Sequence, residues 1–177
     1  MAKIAVNQKI IPFLWFNGEA EEAVNFYTSI FKKSKILLTN HFGKGYPMPE
    51  GSVMTIYFRL GDQEFAALNG GPEYTFSHAI SFAVLCKTQD EIDYFWDKLS
   101  EGGEKEVCGW LKDKYGVSWQ IVPAELTKWL TEADSPHYQQ VLKAILHMKK
   151  LDMVALRKAY SEGIIDQEVL SGSSIQA

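Results

Sequence analysis

The chain has 177 residues, is 46% hydrophobic and 13% aromatic, and carries a formal net charge of -4. That length supports one good core or two small, closely packed modules, and excludes two large independent domains. The charge, with only two arginines (Arg59 and Arg157), excludes the basic stripe that nucleic acid requires, and no apolar run approaches the span of a bilayer.

The start, MAKIAVNQKIIPF, lacks the long apolar segment and cleavage site of a signal peptide, so the expected protein is soluble and cytoplasmic. IIPFLWF (10–16) predicts a strand, ended by Asn17-Gly18. In EAEEAVNFYTSIF, residues Ala20, Ala23, Val24, Tyr27, Ile30 and Phe31 recur at helical spacing behind an acidic first turn, which predicts an amphipathic helix on a sheet. SKILLTN (34–40) is an expected strand and HFGKGYPMPEG a loop; 52–60 and 64–69 form a hairpin about Gly61-Asp62-Gln63.

The order then repeats. HAISFAVLCK (78–87) predicts a strand, Thr88 and Glu91 form a capping box, and Ile92, Phe95, Trp96 and Leu99 mark a helix that stops at Gly102-Gly103. Glu104 to Val107 is a short expected strand. CGWLKDKYGVSWQIVP (108–123) is the clearest hairpin, two β-rich arms about Asp113-Lys-Tyr-Gly116. Cys86 and Cys108 fall in expected strands without CxxC spacing and read as reduced core residues. Beyond Pro123 the pattern is helical: a short helix at Leu126 to Leu130, a second capped by Asp134-Ser135-Pro136, and a third over 152–160, covering the sheet's outer surface or a partner subunit. The last residues, SGSSIQA, are expected to fray.

Strand, helix, strand, strand, strand thus occurs twice, over 10–70 and 78–123. Such a unit has a helix on one face of its sheet and nothing on the other, so an α+β fold is expected in which the two modules pair around a cleft. The expected organisation is one domain over 1–123 and a helical extension over 124–177.

Alternation in VSWQIVP puts Ser118, Gln120 and Val122 on one face and Trp119 and Ile121 on the other. Gln120 then faces the cleft, or is an ordinary solvent-facing strand residue. With equivalent positions added, the candidate ligand-binding set is Gln120, Ser118, Asn69, Ser81, Phe13, Trp15 and Trp110. Aromatic walls with a few polar anchors suit a small aromatic or planar organic ligand, and the alternative is that the rings are plain core.

With PFLWFNGEAEEAVNFYTSIF, FAALNGGPEY, AISFAV, WDKLSEGGE and CGWLKDKYGVSWQIVP in order, the stretch from about 10 to 150 resembles the PhnB-like family, also labelled a 3-demethylubiquinone 3-methyltransferase domain. That family lies within the vicinal oxygen chelate superfamily of glyoxalases, bleomycin-resistance proteins and dioxygenases. The resemblance implies paired βαβββ modules and a homodimer. Metal-dependent members take one ligand from the first and one from the last strand of each module, typically His, Gln or Glu. Carried over, these positions fall at Gln120, four residues after Gly116, at Ala79, near Phe13 and at Asn69. Two lack a donor and two offer neutral amides, so no metal and no cofactor is expected. His78 is one place from the expected ligand, and a one-residue slip reverses the strand face, which reads it as a strand-edge or turn residue or else as a displaced ligand. No glycine pair sits between an opening strand and its helix, as the usual methyl-donor site requires. The expected function is small-molecule binding; the alternatives are a metal-dependent lyase, isomerase or dioxygenase, methyl transfer to a demethylubiquinone-type phenol, and an interaction module carried by the helical tail.

Overall fold

A computed structural model describes residues 8–46, 48–132 and 134–172. The predicted duplication is present, one copy in each of two compact units, Met1–Phe76 and Ser77–Ala177. In the first unit, β1 (Phe13–Phe16) leads to α1 (Ala20–Ile30), then β2 (Lys35–His41), β3 (Val53–Leu60) and β4 (Gln63–Asn69). The sheet order is β1-β4-β3-β2, with β1 parallel to β4 and the other pairs antiparallel. Alternation divides each strand: Leu14, Phe16, Ile56, Phe58, Phe65 and Ala67 are buried, and α1 turns Ala20, Ala23, Val24, Tyr27 and Ile30 inward. Tyr27 stacks on Phe58, which stacks on Phe65. The opposite face carries Phe13, Trp15, Tyr57 and Ala66.

The N-terminus of α1 is capped from a distance. Glu19 precedes the helix without a capping bond, and the Asn69 carboxamide accepts the Ala20 N–H at 2.9 Å. Its amide nitrogen donates to the Val53 carbonyl at 2.9 Å. Asn69 therefore ties helix, last strand and neighbouring strand together, which explains a polar side chain at 5% exposure.

The second unit repeats the plan with β5 (Phe82–Cys86), α2 (Gln89–Leu99), β6 (Glu104–Lys105), β7 (Trp110–Lys112) and β8 (Ser118–Pro123) in the order β5-β8-β7-β6. Thr88 caps α2 by accepting the Glu91 N–H, and the Glu91 carboxylate returns to the Lys87 N–H, one residue before the partner a capping box uses. Three strand expectations are shortened. The strand expected over 78–87 begins at Phe82, because the Ser77 hydroxyl and carbonyl take the N–H groups of Ala79 and Ile80 and turn the chain. Glu104 to Val107 pairs only over Glu104–Lys105. Cys108 and Gly109 leave the first hairpin arm with φ of 60° and 80°, a left-handed pair that bends the chain out of strand geometry.

That bend holds the helical tail. The Cys108 and Gly109 N–H groups donate to the carbonyls of Met148 and Lys149 at 2.7 and 2.8 Å. The tail comprises α3 (Leu126–Trp129), α4 (Pro136–Leu146) and α5 (Met153–Gly172), the last far longer than the nine residues expected. Val122, Trp129, Tyr138, Val141, Leu151 and Leu156 form one buried cluster. Glu125 accepts two bonds from the Arg157 guanidinium, which holds its carboxyl below the usual range, and Tyr160 stacks on Trp129 at 5.2 Å. Of the fraying expected over 171–177, residues 173–177 lie outside the described residues and 171–172 are the end of α5.

Cys86 is fully buried, and burial, followed by the charge of Glu91, pushes its thiol up to about 12. Cys108 is half-buried. A thiol-disulfide reagent at pH 8 should therefore titrate at most one cysteine in the native protein and the second only after denaturation. Two rapidly reacting thiols would contradict this environment for Cys86.

Candidate functional site

On the second sheet, the face opposite Trp119 and Ile121 is built from β8 outward. Trp119 and Ile121 are buried, and the Trp119 indole N–H donates to Asp113 Oδ2 at 2.8 Å. Oδ1 of Asp113 accepts the N–H groups of Tyr115 and Val117 at 2.9 and 3.0 Å. One buried carboxylate thus shapes the hairpin turn and fixes the ring at the strand's start, which settles the face that Ser118 and Gln120 present. Gln120 lies directly opposite Trp110 on one side and Ala83 on the other, and its Nε2 donates to Ser81 Oγ at 2.8 Å. Ser118 is buried, and its hydroxyl has no hydrogen-bond partner among the described residues. Val122, the third residue on this face, belongs to the tail cluster. The tail thus takes one end of the face and leaves the Gln120 end half-open.

On the first sheet, Phe13 is 54% exposed and sets its edge against Tyr57. Trp15 is fixed on three sides. Its Nε1 donates to the Gly71 carbonyl at 2.9 Å, Tyr74 meets it edge-on at 5.0 Å, and its ring lies where a side chain on Gly70 would begin, 2.3 Å from that Cβ position. Only glycine permits this approach. Trp15 is thus a rigid wall rather than a rotating one.

The structure brings Gln120, Ser81, Ser118 and Trp110 onto one face and Phe13 and Trp15 onto another. Asn69 sits on the far face of β4 from Trp15, because it caps α1. The ladders give the reason: Gly70 N–H bonds to Phe16 and Ala124 N–H to Cys86 in matching positions, so the counterpart of Gln120 is Ala66, four residues before Gly70, and the counterpart of Asn69 is Pro123. Asn69 instead lines an open hollow of about 500 Å³ at the start of α1, with Glu21, His41, Met48, Ser52 and Val53. His78, in the turn before β5, pairs with Glu106 at 2.7 Å. Asp113 is the residue the sequence did not single out. Its D-x-x-G spacing signals the turn, while the bond to an indole six residues on has no local signature.

With Ala66 in place of Asn69, the four positions do not fit a divalent cation, since Phe13, Ala66 and Ala79 have no donor and Gln120 is a neutral amide. Among the described residues no group of three or more His, Cys, Asp or Glu side chains is placed to hold a metal ion. Also among them, no helix is long and apolar enough to cross a membrane.

Residues 8–122 match the family model described as 3-demethylubiquinone-9 3-methyltransferase. A PhnB protein from Bacillus cereus is 41% identical over 66% of this chain and 100% of its own, with a TM-score of 0.62. A protein from Pseudomonas aeruginosa is 21% identical over 65% of this chain and 96% of its own (TM-score 0.55), and the fosfomycin resistance protein FosX from Mesorhizobium loti is 13% identical over 72% and 99% (TM-score 0.52); both share the fold. No curated protein matches the chain.

Proposed function

From the membership of this chain in the 3-demethylubiquinone-9 3-methyltransferase (PhnB-like) family of the vicinal oxygen chelate superfamily, with its α+β glyoxalase-like fold, we propose that it binds a small planar organic molecule on the sheet face that carries Gln120. The reading is metal-free, places the protein in the cytoplasm, and has two copies associate. The observation that carries it is the Gln120 carboxamide held by Ser81 beside Trp110, a polar anchor next to a ring. On the first sheet, taken by itself, Phe13 and the immobilised Trp15 present ring surface at low entropic cost. Half-exposed Leu85 and Phe13 leave apolar sheet surface for a second copy to cover.

Methyl transfer from a nucleotide-type donor has less support. The connection from β1 to α1 is Asn17-Gly18-Glu19 and that from β5 to α2 is Lys87-Thr88, and neither is the glycine-rich turn that cradles such a donor.

A fragment screen by amide and side-chain NMR tests the reading. Planar aromatic fragments should shift the resonances of Ser81, Trp110 and Gln120. Shifts confined to other surfaces, or stoichiometric zinc, iron, manganese or nickel in the tag-free protein, would overturn it.

A further inference from the structure

We propose that Arg59 and Lys35, with the rings of Phe13 and Tyr57 beside them, form an anion-binding site on the first sheet that takes a planar aromatic molecule carrying a carboxylate or phosphate group. The site lies within the first unit and does not depend on the Gln120 reading.

The inference starts from a charge pairing that folding alone does not favour. Lys35 on β2 and Arg59 on β3 are direct cross-strand partners, so two cations stand side by side on one face, an arrangement that destabilises a sheet. Lysine on an outer strand has a reason of its own, since it blocks edge-to-edge pairing. That reason covers Lys35 and not Arg59, because β3 is flanked by β2 and β4. Arg59 is half-buried, and among the described residues neither cationic side chain takes part in an ion pair or hydrogen bond. Glu64, opposite Arg59 on β4, is 5% exposed and forms no ion pair with it. The row of Lys35, Arg59 and Glu64 is left with a positive excess.

The neighbours on that face decide what the anion carries. Tyr57 precedes Arg59 by two residues and shares its face, about 7 Å along the strand. Phe13 sets its edge against the Tyr57 ring, with centroids 6.2 Å apart. In the ladder Tyr57 lies between Leu38 and Ala66, and Ala66 lies opposite Phe13, so the whole of this row is uncharged. A guanidinium holds carboxylate or phosphate oxygens through two parallel N–H groups, while exposed rings take an apolar body. A cationic row beside an aromatic one therefore fits an aromatic acid better than a bare inorganic ion.

Benzoate, phenyl phosphate, inorganic phosphate and benzyl alcohol serve as probes, titrated into the full-length protein by NMR at fixed ionic strength. Benzoate and phenyl phosphate should shift the Phe13 and Tyr57 rings and the Arg59 Nε–H, and should bind there about tenfold more tightly than benzyl alcohol. Phenyl phosphate should bind more tightly than inorganic phosphate. Arg59→Gln should weaken both aromatic anions about fivefold, and Arg59→Lys should recover part of that loss, because it keeps the charge without the fork. Lys35→Gln, at the exposed edge, should weaken them less. Arg59→Gln should melt no lower than the parent protein, since it relieves the like-charge pair. Benzyl alcohol matching benzoate, affinity that survives both glutamine variants, or a lowered melting temperature for Arg59→Gln would overturn the site. Anion-induced shifts confined to Ser81, Trp110 and Gln120 would also overturn it and leave the Gln120 reading standing.

Discussion

Replacing Asp113 with alanine should destabilise the second unit by about 3–5 kcal/mol, since each buried donor left unsatisfied costs roughly 1–3 kcal/mol. Asp113 is 2% exposed, and its two oxygens hold the Tyr115 and Val117 N–H groups and the Trp119 indole. Alanine strands all three at once. Asparagine keeps one acceptor but turns an NH₂ group toward a donor, so Asp113→Asn should cost less than alanine and still be readily measured. Urea unfolding followed by tryptophan fluorescence checks both, because Trp119 reports on the same site. A loss below about 1 kcal/mol for alanine, less than one typical unsatisfied buried group, would show that the carboxylate does not organise the hairpin.

The second large effect concerns the tail. Leu156 is completely buried against Val122, Trp129, Tyr138, Val141 and Leu151. Leu156→Ala should cost about 2–5 kcal/mol, the range for emptying a packed leucine site. Ending the chain after Lys150 removes Leu151, Met153 and Leu156 together and uncovers Trp129 and Tyr138. It also breaks the pair of bonds by which Gln89, at the start of α2, donates to the Leu151 carbonyl and accepts the Met153 N–H. The shortened protein should lose cooperative unfolding of its second unit in calorimetry. Unchanged melting would mean that these helices serve an interaction with another molecule rather than the core of this one.

Much of this architecture is legible in the residues. The alternation in VSWQIVP and the i, i+3, i+4, i+7 set from Ile92 to Leu99 report local backbone periods, and local periods survive folding. The duplication follows from their order. What was not legible depends on partners distant in the chain. Asn69 reads as a strand-end polar residue, and only the three-dimensional register reveals that it caps a helix beginning at Ala20. The same register makes Ala66 the counterpart of Gln120, a position no side-chain chemistry would mark. Ala79 and Ile80 look like strand because they are apolar, yet Ser77 claims their N–H groups before the ladder can. The Cys108 backbone, left-handed without being glycine, has no signature in composition. Within the candidate site, alternation alone placed Ser118 with Gln120, whereas the missing partner of the Ser118 hydroxyl is a property of its surroundings.

The bend at Cys108 and Gly109 has a consequence for how the protein is made. The carbonyls it grips, those of Met148 and Lys149, are synthesised long after the hairpin itself. A nascent chain that has emitted its second module therefore carries an open clasp, with Val122 and the Cys108 and Gly109 N–H groups exposed to whatever chaperone is nearby. Closure waits on the arrival of the segment after α4, so the second unit locks only once that segment has been made.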